Sequence, residues 1–112
     1  MAEVQSVRKT YEKGPGLLRR VYSWEQSNAI MERVITAVQG IYIEADISRQ
    51  PSSFERRRYD SITVRGGFFE LALEYVAHEG KRKDKVVARL IPIGHVDYGF
   101  TRLDEVVRHA MR

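Results

Sequence analysis

Residues 59–77 read YDSITVRGGFFELALEYVA, and the fold class turns on them. Beyond the Gly66-Gly67 pair, Phe69, Leu71, Leu73 and Tyr75 alternate with Glu70, Ala72 and Glu74. A period of two places the first set on one face of an extended strand and the second set on the other. The paired glycines between arms at 59–65 and 68–77 suit a two-residue hairpin turn that needs positive φ. One face is then buried and one faces solvent, which is the habit of an antiparallel sheet.

Working outward, further strands are expected on both sides. Residues 85–93 (KVVARLIPI) follow the polar stretch from Glu79 to Asp84 and read as a strand that is apolar on both faces. Val86, Ala88 and Leu90 lie on one face, Val87, Ile91 and Ile93 on the other. Residues 41–47 (IYIEADI) alternate Ile41, Ile43, Ala45 and Ile47 against Tyr42, Glu44 and Asp46. Residues 4–11 and 17–23 bracket Gly14-Pro15-Gly16 and suggest a first hairpin.

Two segments switch to helical spacing. Ser23 with Gln26 three residues on has the form of a capping box. Ile30, Met31, Val34, Ile35 and Val38 make one apolar stripe, and Gly40 suits a left-handed stop. A second helix is expected from Thr101, with an acceptor at Asp104 and a stripe of Leu103, Val106, Val107, Ala110 and Met111. The expected fold is α+β, one domain over residues 1–112. It has a mostly antiparallel sheet of about six strands with both helices packed on one face, in the order ββαββββα.

Composition narrows the function classes. The absence of cysteine excludes disulfides and thiolate metal sites, and it favours a reducing, cytoplasmic setting. The first residues lack the apolar run of a secretory signal, and no stretch approaches the ~20 apolar residues that span a bilayer. No glycine loop precedes a helix as a phosphate cradle requires, and no serine or threonine sits in a nucleophile elbow. The expectation is a chain without catalytic residues, metal or small-molecule cofactor.

Charge is more informative. The net charge is +4 and the pI near 9.6, and the cations are segregated. Residues 8–20 carry net +4, residues 49–65 net +3, and residues 78–89 net +3. Loops at one end of an antiparallel sheet can converge into one basic rim even when distant in sequence. Arg49, Phe54, Arg56, Arg57, Arg58 and Tyr59 interleave guanidinium forks, which chelate phosphate oxygens, with rings that stack on unpaired bases. Lys81, Arg82 and Lys83 form the second candidate contact. The competing view is that exposed loops are charged simply because they are solvated.

Two other constellations are weaker. Glu44, Asp46, Glu70 and Glu74 are expected on the open face of the sheet, where carboxylates would be hard oxygen ligands for Mg²⁺; Glu79-Gly80-Lys81 adds only a faint E-x-K element in a turn. His78, His95 and His109 are isolated, and zinc wants three protein ligands. The doubly apolar strand has its own implication. If Val87, Ile91 and Ile93 face outward, they mark an interface, most simply with a second copy of the chain. The expectation is therefore a non-enzymatic DNA- or RNA-binding domain acting as a homodimer. The alternative is a structural or adaptor subunit that uses the apolar open face.

Overall fold

A computed structural model of the chain describes residues 16–51, 59–77, 84–94 and 98–112. The elements are β1 (Leu17–Val21), α1 (Trp24–Gln39), β2 (Asp46–Pro51), β3 (Tyr59–Arg65), β4 (Phe69–Val76), β5 (Asp84–Pro92) and α2 (Tyr98–Met111). The strands form a single five-stranded sheet in the order β1-β5-β4-β3-β2. Every pairing is antiparallel. β2 to β5 form a meander of successive hairpins. α1 carries the chain from β1 at one edge to β2 at the other, so the first strand adjoins the last.

The fold class is α+β, as the alternation in β4 implies. The described strands number five, not about six, because the expected strand at 4–11 lies outside the described residues. Along cross-strand rows the apolar sets align: Ile62, Leu73, Ala88 and Leu17 occupy one row, and Val64, Leu71 and Leu90 another. They form one core with Ile30, Met31, Val34, Ile35 and Val38 of α1 and Phe100, Leu103 and Val107 of α2. Apart from the partly buried Leu17, each of these side chains is nearly or wholly excluded from water, and a buried aliphatic or aromatic side chain contributes about 1.5–3 kcal/mol.

Several expectations are corrected. Residues 41–45 are not a strand. Backbone bonds from Ile41 and Tyr42 to Val38 O and from Ala45 to Tyr42 O turn the chain, and β2 begins only at Asp46. The burial pattern departs from the alternation at two positions: Ile43 is 84% exposed, while Tyr42 packs against the core beside Ala45 and Ile47. The Tyr42 ring meets Phe68 at 5.1 Å and Phe69 at 5.4 Å between centroids. Burying three mutually packed rings outweighs the alternation of one short apolar run.

Gly40 is right-handed (φ −61), and the turn continues past it instead of reversing. Neither Gly66 nor Gly67 has positive φ; among the described residues only Gly16 and Gly94 do. Gly66 is needed for a different reason, since a Cβ there would collide with the Phe69 ring. The capping box on α1 forms in modified register. Gln26 N donates to Ser23 Oγ at 3.2 Å, but the Gln26 side chain accepts from Tyr22 N at 2.7 Å, one residue before the cap.

α2 starts at Tyr98, a turn earlier than Thr101. Asp104 is consequently no capping acceptor. It faces inward, 4% exposed, where its Oδ2 accepts from Arg108 Nε at 2.8 Å and its Oδ1 has no partner.

Candidate nucleic-acid interface

The strand registers fix where the charged connections leave the sheet. Pro51 pairs with Tyr59, Ser61 with Glu74, Val76 with Lys85, and Val21 with Asp84. The end of β2, the start of β3, the end of β4, the start of β5 and the end of β1 therefore all lie at one end of the sheet. Residues 52–58 depart from and return to that end, and so do residues 78–83. Phe54, Arg56, Arg57, Arg58, Lys81, Arg82 and Lys83 lie outside the described residues; only the strand ends that hold them are placed.

The body that presents this end is electrically balanced. The described residues contain 10 of the chain's 19 Lys+Arg and 10 of its 15 Asp+Glu, so the whole surplus of +4 resides in the other segments. Most cations on the body are already engaged. Arg65 pairs with Glu70, and Arg89 with Glu74. Arg19 donates to Met111 O at 3.0 Å, while Arg33 donates to Ala110 O and Arg112 O, both at 2.7 Å. The last two arginines thus satisfy carbonyls that the C-terminus of α2 would otherwise leave without donors.

Of the expected contact residues, Arg49 and Tyr59 are described, and both stand on the helix side of the sheet. A register shift between Gln50 and Pro51 carries Tyr59 to that side, where it packs against the core and its backbone N donates to Asn28 Oδ1 at 3.2 Å. Arg49 lies over the Tyr59 ring, 5.8 Å from its centroid. It also forms a two-pronged pair with Glu32 of α1, with both contacts at 3.2 Å. The carboxylate holds the Arg49 pKa above its ordinary value, chiefly through this hydrogen bond. Its charge is thereby matched within the chain.

Sequence reasoning placed Arg20 in a basic segment but did not single it out. On β1 it points to the open face directly opposite Lys85 of β5. Neither has a hydrogen-bond or ion-pair partner among the described residues. Two like charges in facing strand positions repel, and no acid among the described residues is paired with either to offset that repulsion. Tyr22, 78% exposed, stands two residues further on, just past the end of β1. Arg20 and Arg19 also border a shallow cleft between the edge strand and the last turn of α2, lined in addition by Leu17, Leu18, Arg108, Met111 and Arg112. The signal that could have revealed this is the two-residue period in LLRRVY, which sends Leu18 and Arg20 to one face and Leu17, Arg19 and Val21 to the other.

The carboxylates do not converge as expected. Glu44 lies in the turn, exposed and off the sheet. Glu70 and Glu74 are on the open face but paired with arginines, and Asp46 sits opposite Arg65. Among the described residues no group of three or more His, Asp or Glu is arranged to hold a metal ion. His109 is exposed on α2; His78, His95, Glu79 and Lys81 lie outside the described residues.

β5 lies inside the sheet, between β1 and β4. Val87 is only 3% exposed although it faces away from the helices, so it is already covered within the chain. Ile91 and Ile93 remain 40% and 43% exposed. Among the described residues, no helix is long and apolar enough to cross a membrane. No protein-family model matches the chain, and neither a curated protein nor a solved structure shows significant similarity to it.

Proposed function

We propose that the chain is a non-enzymatic nucleic-acid-binding domain whose contacts with phosphate are made at one end of its sheet. The observation that carries this reading is the separation of charge. The described body is electrically balanced, with most of its cations engaged inside it, and one end of its sheet leads into both the arginine- and the lysine-rich connections. Solvation alone does not require the whole surplus to sit in these connections and the N-terminal segment. A polyanion with regularly spaced phosphates is the partner such an array fits.

The deciding experiment is fluorescence anisotropy of the full chain with labelled DNA and RNA oligonucleotides across a salt series. With about four phosphates neutralised, the log–log slope is expected near −3 to −4. Replacing Arg56, Arg57 and Arg58 together with alanine should weaken binding while leaving the Tm in place, since exposed charges contribute little to folding. Absence of binding to both nucleic acids at low salt and micromolar protein would end this reading. Incubation with Mg²⁺ and an oligonucleotide should give no cleavage; cleavage lost in Asp46→Asn would overturn the non-enzymatic part.

Self-association through the open face belongs to the same proposal. It now rests on Ile91 and Ile93, because Val87 is covered within the protomer. Two such patches meeting about a two-fold axis would set two basic ends on one particle. Ile91→Glu should convert a dimer to a monomer in sedimentation equilibrium. A wild-type mass near 13.0 kDa at high concentration would refute it. Binding of a different protein on this same exposed pair is the adaptor reading.

A further inference from the structure

We infer that the edge strand β1 is a contact for single-stranded nucleic acid, with Arg20 and Lys85 sharing a backbone phosphate and Tyr22 stacking on an adjacent base. This deepens the nucleic-acid reading and rests on it.

The argument starts from alternation. Leu18 and Arg20 lie on the open face of β1, where Leu18 is 51% exposed, and Tyr22 follows at the strand's end. Arg20 directly faces Lys85. Facing positions in an antiparallel pair bring Cβ atoms within about 5.5 Å, and like charges there are destabilising without a counter-ion. The other arginines on the open face have their acids: Arg65 has Glu70, and Arg89 has Glu74. Arg20 and Lys85 do not, so the folded body tolerates a repulsion that one phosphate between them would relieve.

The second observation is position. Val21 pairs with Asp84 and Val76 with Lys85, so these residues stand at the sheet end from which residues 78–83 extend. A strand of nucleic acid lying along this sheet end would run past Lys85 and Arg20. Around the edge, Arg112 borders the same cleft as Arg20 and extends the cationic track. The third observation is the ring. An exposed tyrosine beside an unmatched arginine is the combination by which sequence-tolerant binders hold single strands: cations for the backbone, an aromatic face for a base. A duplex offers its phosphates to the cations but keeps its bases stacked away from Tyr22.

The test uses the full chain, a labelled oligothymidylate and a labelled duplex of equal length. In Arg20→Ala/Lys85→Ala, affinity for the single strand should fall and the salt slope should become shallower by about 0.7, the share of the one phosphate the pair holds. Tyr22→Ala should weaken single-strand binding by about 5- to 150-fold with the slope unchanged, and should leave duplex binding in place. Arg20→Glu sets an acid opposite Lys85; it should hold or raise the Tm while weakening binding more than Arg20→Ala does, which separates loss of contact from loss of fold.

If the wild type binds and Arg56→Ala/Arg57→Ala/Arg58→Ala weakens it, while the Arg20, Lys85 and Tyr22 variants bind like the wild type, the inference is wrong and the wider reading stands. If the wild type binds neither probe, both fail. Equal loss of single-strand and duplex binding in Tyr22→Ala would overturn the stacking contact.

Discussion

At one end of the sheet Arg20, Lys85 and Arg112 stand around strand ends that lead into arginine- and lysine-rich connections. At the other, Tyr42, Phe68 and Phe69 interlock with centroids 5.1–5.4 Å apart. There the Tyr42 hydroxyl donates to Gly99 O at 3.3 Å, and Ile93 N donates to Phe68 O at 2.8 Å. The aromatic end thus ties the turn after α1, the β3–β4 hairpin and the start of α2 into one knot. The same strands run through both ends, yet one end is organised by burial and the other by unrelieved charge. A surface that must meet a solvated polyanion has to keep its cations in water, whereas the stability of a small domain comes from excluding water. Separating the two along the strands allows each to be altered without the other.

The largest effect should come from the aromatic end. Phe69→Ala removes a fully buried ring with two aromatic neighbours, and urea denaturation should show a loss of about 3–5 kcal/mol. Oligonucleotide affinity per folded molecule should not change. If it does, the two ends are coupled and the comparison is broken.

A smaller loss is expected where α2 meets the edge strand. Arg108→Ala leaves the 4%-exposed Asp104 without the donor to its Oδ2. Breaking a buried pair typically costs about 3–5 kcal/mol; the 37% exposure of Arg108 lowers the expectation to about 2 kcal/mol, since partial solvation screens the pair. Adding Asp104→Leu should recover most of that loss, because a buried carboxylate replaced by an apolar side chain no longer needs a partner. Thermal melts of the single and double variants measure both values.

Glu32→Gln probes the basic end in the opposite sense. Losing the exposed pair with Arg49 should cost below about 1 kcal/mol, yet it releases a cation beside Tyr59. Nucleic-acid binding should tighten, with a salt slope steeper by about 0.7–0.9. An unchanged slope would show that the helix side of this end is not part of the contact. The smallest effect belongs to Ile43→Ser. At 84% exposure it should shift stability by less than about 0.5 kcal/mol and leave affinity unaltered.

Much of the fold was legible because its signals are local. The period of two in Phe69–Tyr75, the helical stripe from Ile30 to Val38 and the Ser23 cap each depend on neighbours within a few residues. Those features determine strand, helix and helix start wherever they occur. The alternation at 41–47 misled because Tyr42 found better company in Phe68 and Phe69, far along the chain, than its own strand pattern would have given it. Gly66 was placed correctly in a turn for the wrong cause: its constraint is the Phe69 ring, a contact that spacing does not encode.

The candidate interface divides the same way. Sequence by itself determined that the chain is cysteine-free, that its surplus cations are clustered, and that alternating strands give a sheet with one face packed by helices. Only the tertiary structure decided which cations remain available. Strand order and register put Arg20 against Lys85 without an acid, gave Arg49 to Glu32, Arg65 to Glu70 and Arg89 to Glu74, and brought two connections distant in sequence to one end of the sheet. The physical reason is that electrostatic pairing acts over a few ångströms in space. The chain alone fixes which charges exist, and the register of its strands decides which of them face each other.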